Sequence, residues 1–387
     1  MPIDFASTSF KASAHPGSGI GPVPELLTGL RSAHPGPERT FHEQLRMLRS
    51  ASFISFARVQ DSVSIWIADN RGMQFLIAER GFRDVAGMCE ELLALARTPR
   101  SEPQAIAKLG VALFRVLFDP IRHQLDSKRL LYVHCGPGLD HLPLSLLRVE
   151  EDCLLSERYR TSIAADFPSR ERFEAAGKLS ADAPFLFLDA GAAPARFSDA
   201  PLAGPVDEDF LRLRFCSLVA LTGSSATWEA FENLAASAQG IHCRVAITDG
   251  VHGPQLPLAA AEGATNPGQD AAPGYLPLAA LRRKALAECR LGVFDAKWLP
   301  NRADEMHLLW QRCRGALHHA GIANVLLPRW EVDSAVTYCF LGRFYTRLVA
   351  GTAIDAAFRD AVASIRCTKG WEHPNYWAGF AHSVSHL

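Results

Sequence analysis

The chain has 387 residues, 48% of them hydrophobic and 21% charged, which is a globular profile with room for one large or two intimate domains. Forty basic residues stand against 41 acidic ones, a formal net charge of -1, so the cationic surface that a phosphate backbone demands is absent and a nucleic-acid partner is excluded. No apolar run reaches the length of a membrane span, and Met1-Pro2-Ile3-Asp4 lacks the basic and apolar regions of a signal peptide. The expectation is a cytoplasmic protein without a membrane partner. Nine scattered cysteines show no Cys-x-x-Cys spacing, so they read as reduced thiols, with no metal and no cofactor expected.

Residues 1–40 are rich in Ser, Pro, Gly and Ala, as in Ala14-His15-Pro16-Gly17-Ser18-Gly19. Such a stretch has little apolar area to offset the entropy of ordering, and a disordered or extended tail is expected. Residues 41–170 carry the β-rich runs Phe53–Val59, Ser62–Ile67 and Met73–Ala78. The turn signal Asn70-Arg71-Gly72 marks them as an antiparallel meander. Two stretches with apolar residues at helical spacing, Val85–Ala96 and Pro103–Phe118, follow.

From Arg129 short apolar runs alternate with helical patterns, and residues 171–387 form a core of this kind. The strands predicted are Leu130–His134, Phe185–Asp189, Cys216–Leu221, Cys243–Thr248, Arg290–Phe294 and Asn324–Leu327. Helices are predicted at Ser225–Ser237, Leu278–Glu288, Asp304–Ala320 and Ser334–Ala350. Continuous apolar strands alternating with helices give an α/β fold with a mostly parallel sheet covered on both faces. No Gly-x-Gly-x-x-Gly or phosphate loop follows any strand, so nucleotide binding has no support.

Four segments in order resemble the CHAT family, caspase-like domains often found beside tetratricopeptide repeats. They are Arg129–Leu147, the run Leu221-Thr222-Gly223-Ser224-Ser225-Ala226-Thr227, the stretch Gly315–Ala350 with Arg329-Trp330-Glu331-Val332-Asp333, and His373-Pro374-Asn375-Tyr376-Trp377-Ala378-Gly379-Phe380. Trp330, Trp377 and Phe380 carry large apolar area and read as packing residues. The resemblance implies a caspase-like sheet over roughly residues 41–387, with the N-terminal β/helical layer packed on it.

The resemblance also implies a His and a Cys on loops at the C-terminal ends of neighbouring parallel strands, the His taking the thiol proton. Here the His position holds Asp249, within Thr248-Asp249-Gly250, and the Cys position holds Lys297, after Asp295-Ala296. No catalytic residue is therefore expected at either place. If the alignment is right, the Asp249 and Lys297 side chains converge within about 4–8 Å, as an ion pair closing the cleft or as two solvated charges. Lys297 as an amine nucleophile would need an activation that its neighbours do not signal. Among alternative candidates, Cys289 stands at the far end of the Lys297 strand, on the order of 25 Å off, and Cys243 at the wrong end of its own. That leaves His252, on the loop after Asp249, and Cys135, after a strand end. The first reading is a pseudoprotease that binds a protein partner, an active protease or a peptide segment, as a regulatory or scaffold subunit in a bacterial defence or stress system. The second is an active cysteine endopeptidase with a displaced His/Cys pair; the third is an α/β enzyme with an unrecognised site.

Overall fold

The computed structural model describes residues 48–165, 177–190, 206–251, 253–259, 274–281, 285–300 and 305–385. The expected tail at 1–40 and the candidate His252 lie outside the described residues. By its internal contacts the chain divides into two compact units. One comprises residues 1–92 and 107–161, the other 93–106 and 162–387.

The first unit holds the meander. Strands β1 (Ala51–Val59), β2 (Ser62–Asp69) and β3 (Gly72–Gly81) pair antiparallel in succession. The β1–β2 turn puts Gln60 at φ 57, and the β2–β3 turn is pinned by Asp69 Oδ1, which accepts from the Arg71 amide at 2.7 Å. Helices α1 (Phe82–Arg97) and α2 (Pro103–Leu117) then carry the chain to β4 (Leu130–Cys135). β4 lies parallel to β1, giving the order β4-β1-β2-β3. The three- and four-residue spacing of Val85, Cys89 and Leu92, and of Leu113, Phe114 and Leu117, gives each helix one fully buried stripe. Phe56 of β1 meets Phe118 edge-on at 5.3 Å. A small hairpin, β5 (Arg148–Glu150) with β6 (Cys153–Leu154), and one helical turn, α3 (Leu155–Arg158), close the unit. β7 (Arg160–Ala164) spans the join.

The second unit is a larger, mostly parallel sheet. Its strands are β8 (Phe185–Asp189), β9 (Leu218–Thr222), β10 (Gly240–Gly250), β13 (Leu291–Leu299), β14 (Asn324–Leu326) and β15 (His382–Val384), with the last residues of β7. The order is β9-β8-β10-β13-β14-β15-β7, and only the β14–β15 pair is antiparallel. The upper half of β10, past its pairing with β8, turns back antiparallel as β11 (Gly253–Leu258), which pairs with β12 (Gly274–Pro277).

Helices cover both faces. Between β8 and β9 runs a short α4 (Glu208–Arg212), and α5 (Trp228–Ala235) follows β9. After β13 come α6 (Met306–Ala320), α7 (Ser334–Val349), α8 (Ile354–Arg366) and a final turn α9 (Pro374–Trp377). Cys243, Val245 and Ile247 of β10 pack with Phe294, Ala296 and Trp298 of β13 against Leu309, Trp310 and Cys313 of α6. On the other face Phe185 lies edge-on to Tyr345 of α7 at 6.1 Å.

Two expectations change. The segment expected as a helix over Leu278–Glu288 is a 3₁₀ turn at Leu278–Ala280, with turn geometry at residues 285–288. Its alanines and the i, i+3, i+8 spacing of Leu278, Leu281 and Leu286 suit a helix, but the chain buries these leucines in the core from short turns. The strand expected to end at Phe294 continues to Leu299, so Lys297 sits inside β13 and not on a loop. The alternation Phe294, Asp295, Ala296, Lys297, Trp298, buried at every second position, is the strand period itself.

The family-like motifs shape this unit. Asp333 caps α7, its Oδ1 accepting from the Ala335 and Val336 amides at 2.9 and 3.2 Å. Trp330 Nε1 donates to the Asn375 carbonyl at 3.0 Å, Trp377 Nε1 to the Glu372 carbonyl at 2.9 Å, and Phe380 stacks on Phe340 at 3.9 Å. Gly379 has to be glycine: a Cβ there would stand 2.7 Å from Val332 and 2.8 Å from Trp330. Asp333→Ala should cost about 1 kcal/mol of stability through the lost cap, read as a lower denaturation midpoint at unchanged slope.

Candidate functional site

The register of β10 against β13 decides what the two family positions can do. Arg244 stands opposite Asp295, Ala246 opposite Lys297, and Thr248 opposite Leu299. Facing residues of parallel neighbours share a sheet face, and successive residues alternate faces. Lys297 therefore shares the face of Ala246, while Asp249, three positions further, projects from the opposite one. The two residues do come from adjacent strands, but the expected convergence within 4–8 Å does not occur, because three is an odd number of pleats.

Asp249 belongs to the α6 face. Its Oδ2 accepts from Arg312 Nη2 at 2.6 Å, with the carboxylate side chain 7% exposed and the guanidinium 46%. Gly250 follows where the chain turns into β11, and a Cβ there would stand 2.3 Å from the Gln255 side chain. A carboxylate held by an arginine is a poor general base for a thiol.

On the α7 face, β8, β10 and β13 bring Asp189, Arg244 and Asp295 into one row across three strands. This is the place where the strand order reverses, since the chain passes from β8 outward to β9 and returns on the other side as β10. Open α/β sheets hold their ligands at such a point, beyond the carboxyl ends of the strands. Here an internal ion pair fills it. The Arg244 Nη2 donates to Asp189 Oδ2, with both side chains under a fifth exposed, and Nη1 reaches the Val206 carbonyl at 3.3 Å. Burial raises the Asp295 carboxyl to about 6, against the pull of the Arg244 cation and with a further push from Asp189.

Beneath this row His242 is fully buried, its Nδ1 2.8 Å from the Tyr345 hydroxyl of α7. Burial, and then the Arg244 charge, lower it to about 3, so the imidazole is neutral. Burial raises the Tyr345 phenol well above its ordinary range. Cys243 and Cys313 are buried thiols pushed strongly upward by desolvation, hence protonated and inert as nucleophiles. Cys289 is also buried, its Sγ donating to the Leu291 carbonyl at 3.3 Å.

Cys135 lies in the first unit, at the end of β4 opposite Phe56, and is partly buried. Its neighbour His134, on the other face of the strand, has Nδ1 3.1 Å from Ser55 Oγ. Among the described residues no group of His, Cys, Asp and Glu has the arrangement of a metal site, and no helix is long and apolar enough to cross a membrane.

The Asp189–Arg244–Asp295 row and the Arg312 partner of Asp249 were not anticipated. A signal existed: each of the three strands carries a charged residue within or at the end of an apolar run, as in Phe185-Leu186-Phe187-Leu188-Asp189. Charged side chains in strands buried on both faces need partners, and equivalent places on neighbouring strands supply them.

The model of the CHAT domain matches residues 303–385, the stretch from α6 to β15. Over 61 residues, 16% of this chain, the sequence is 36% identical to tetratricopeptide repeat protein 28 of Homo sapiens and 34% identical to that of Mus musculus. The matched segment amounts to 2% of the length of either relative. Asp249 and Lys297 both lie before the stretch matched by the CHAT model.

Proposed function

With a CHAT domain over residues 303–385 as the premise, we propose that this protein is a catalytically inactive, protein-binding member of a caspase-like group. The observation that carries the reading is the parity of the β10–β13 register. It sends the residues at the two family positions to opposite faces, one held by Arg312 and the other beside the Asp295 row. Neither side chain is a thiol or an imidazole, and the buried thiols nearby are protonated. The internal ion pair at the reversal of strand order supports the same reading, because it fills the position a ligand would take. Similarity to proteins named for tetratricopeptide repeats favours a protein partner. A regulatory or scaffold role in a bacterial defence or stress system is the setting that the family resemblance implies.

The test is a thiol-reactive peptide probe of mixed sequence, applied to the full chain alongside a library of peptide substrates. No cysteine should be labelled above the level of the urea-unfolded protein treated with iodoacetamide, and no peptide should be cut. Fast labelling of Cys135, lost in His252→Ala, would establish the displaced pair and end the pseudoprotease reading.

A further inference from the structure

Among the described residues of the first unit, β3 pairs only with β2, so its outer edge carries unpaired backbone groups. Long flat edges are usually protected by lysines, prolines or a covering element, because they template further pairing. This one has ten residues, Gly72-Met73-Gln74-Phe75-Leu76-Ile77-Ala78-Glu79-Arg80-Gly81, with no proline and no lysine. Two of its apolar side chains lie in the open, Phe75 at 37% and Ile77 at 46% exposure. Trp66 of β2 lies behind Phe75 at 4.6 Å between ring centroids, so the exposed aromatic is backed by a second one.

The phase of the edge follows from the hairpin. Two residues, Asn70 and Arg71, separate the paired residues Asp69 and Gly72, which makes Asp69/Gly72 a hydrogen-bonded pair. Alternating from there, Met73, Phe75 and Ile77 stand in non-bonded pairs with Ala68, Trp66 and Ser64. The amides and carbonyls of Met73, Phe75 and Ile77 therefore point outward, away from β2. The same three residues share one face at a period of two, over the regular pairing that runs from Gly72 to Ile77 before the register shifts.

That pattern is complementary to itself. Two copies of β3 laid antiparallel about an axis through Phe75 place Phe75 opposite Phe75 and Met73 opposite Ile77. Every outward amide at 73, 75 and 77 then meets an outward carbonyl of the other copy. Aromatic and apolar cross-strand pairs of this kind stabilise antiparallel sheets. We propose that a second copy of this chain docks on β3, joining the two meanders into one continuous sheet about a two-fold axis at Phe75. Such an interface is isologous, with the same strand used by both partners, as closed dimers require.

The experiment uses the full chain. Sedimentation velocity between 1 and about 100 µM should show a species of twice the 42.3 kDa monomer mass growing with concentration. Phe75→Glu, which sets two like charges face to face, should shift the equilibrium at least tenfold toward monomer without changing the circular dichroism spectrum. Val219→Glu, on an exposed strand position of the other unit, should leave it unchanged.

A covalent readout is independent of affinity. In a hydrogen-bonded antiparallel pair the Cα atoms lie about 5.5 Å apart, within disulfide range. Phe75→Cys should then give an intermolecular disulfide between the two introduced thiols under mild oxidation, identified by peptide mass spectrometry. Ile77→Cys alone should not, because its own mate lies four residues away along the paired strand. A chain monomeric throughout the concentration range, a dimer indifferent to Phe75→Glu, or equal cross-linking at both positions would overturn the proposal. A dimer that forms only after removal of residues 1–47 would also overturn it, since the chain's own N-terminal segment would then be the native occupant of the edge.

Discussion

Replacing Arg244 with alanine should destabilise the protein by about 3–5 kcal/mol at pH 7, the largest effect of any single charged residue considered. Arg244 bonds Asp189 and lies opposite Asp295 in the strand register, so its loss leaves two carboxylates inside the sheet without their cation. The cost is the desolvation of those stranded charges, not the value of a salt bridge as such. Arg244→Ala combined with Asp189→Asn and Asp295→Asn should accordingly recover most of the loss. Urea denaturation followed by circular dichroism and by tryptophan fluorescence measures both, the coincidence of the two probes testing whether the units unfold together. If the single variant lost less than about 1 kcal/mol, the row would be solvated and would not be a buried element of the fold.

The second expectation concerns pH, and its sign is opposite to the usual carboxylate case. Asp295 is raised to about 6 in the folded chain, above its ordinary value of 3.8, so between those limits the folded state holds a proton that the unfolded state has released. Stability from this group is greatest below pH 4, falls as pH rises through 6, and is constant again above it. The span corresponds to roughly 1–3 kcal/mol after allowance for the neighbouring charges. Asp295→Asn should remove that slope and raise the urea midpoint at pH 8 while leaving it almost unchanged at pH 4. Equal midpoint shifts at both pH values would show that the carboxyl does not titrate in this range. His242 contributes in the other direction over an overlapping range, because below about 6.5 the unfolded imidazole takes up a proton that the folded one does not hold until about 3, so the Asp295 slope is read as the difference between the parent chain and Asp295→Asn.

The α/β architecture was legible because buried strands are continuous apolar runs, as in Phe185–Asp189 and, between two helices, Asn324–Leu326. The meander was legible through its turns. β11, β12 and β15 were not, being short and set among prolines and glycines whose pairing depends on a distant partner strand. The site was harder. Sequence placed Asp249 and Lys297 on neighbouring strands, as they are, but could not supply the register, since parallel strands separated by some forty residues are aligned by the packing of the segments between them. A local cue existed in the two-residue period running through Lys297, which marks a strand where a loop was expected.

The uneven edge of β10 has a consequence for how the two ends of that strand respond to force or to binding. Its first five residues are clamped between β8 and β13, whereas residues 248–250 exchange bonds with β11, a strand that returns from the same turn. The lower half is thus fixed by two neighbours remote in sequence. The upper half, with Asp249, belongs to a hairpin whose second strand is held in turn by β12. A protein bound at the hairpin tip, where Val251 is almost fully exposed, would act on the Asp249–Arg312 contact and through it on α6. The Arg244 row, three strands wide, lies among the pairs of the lower half.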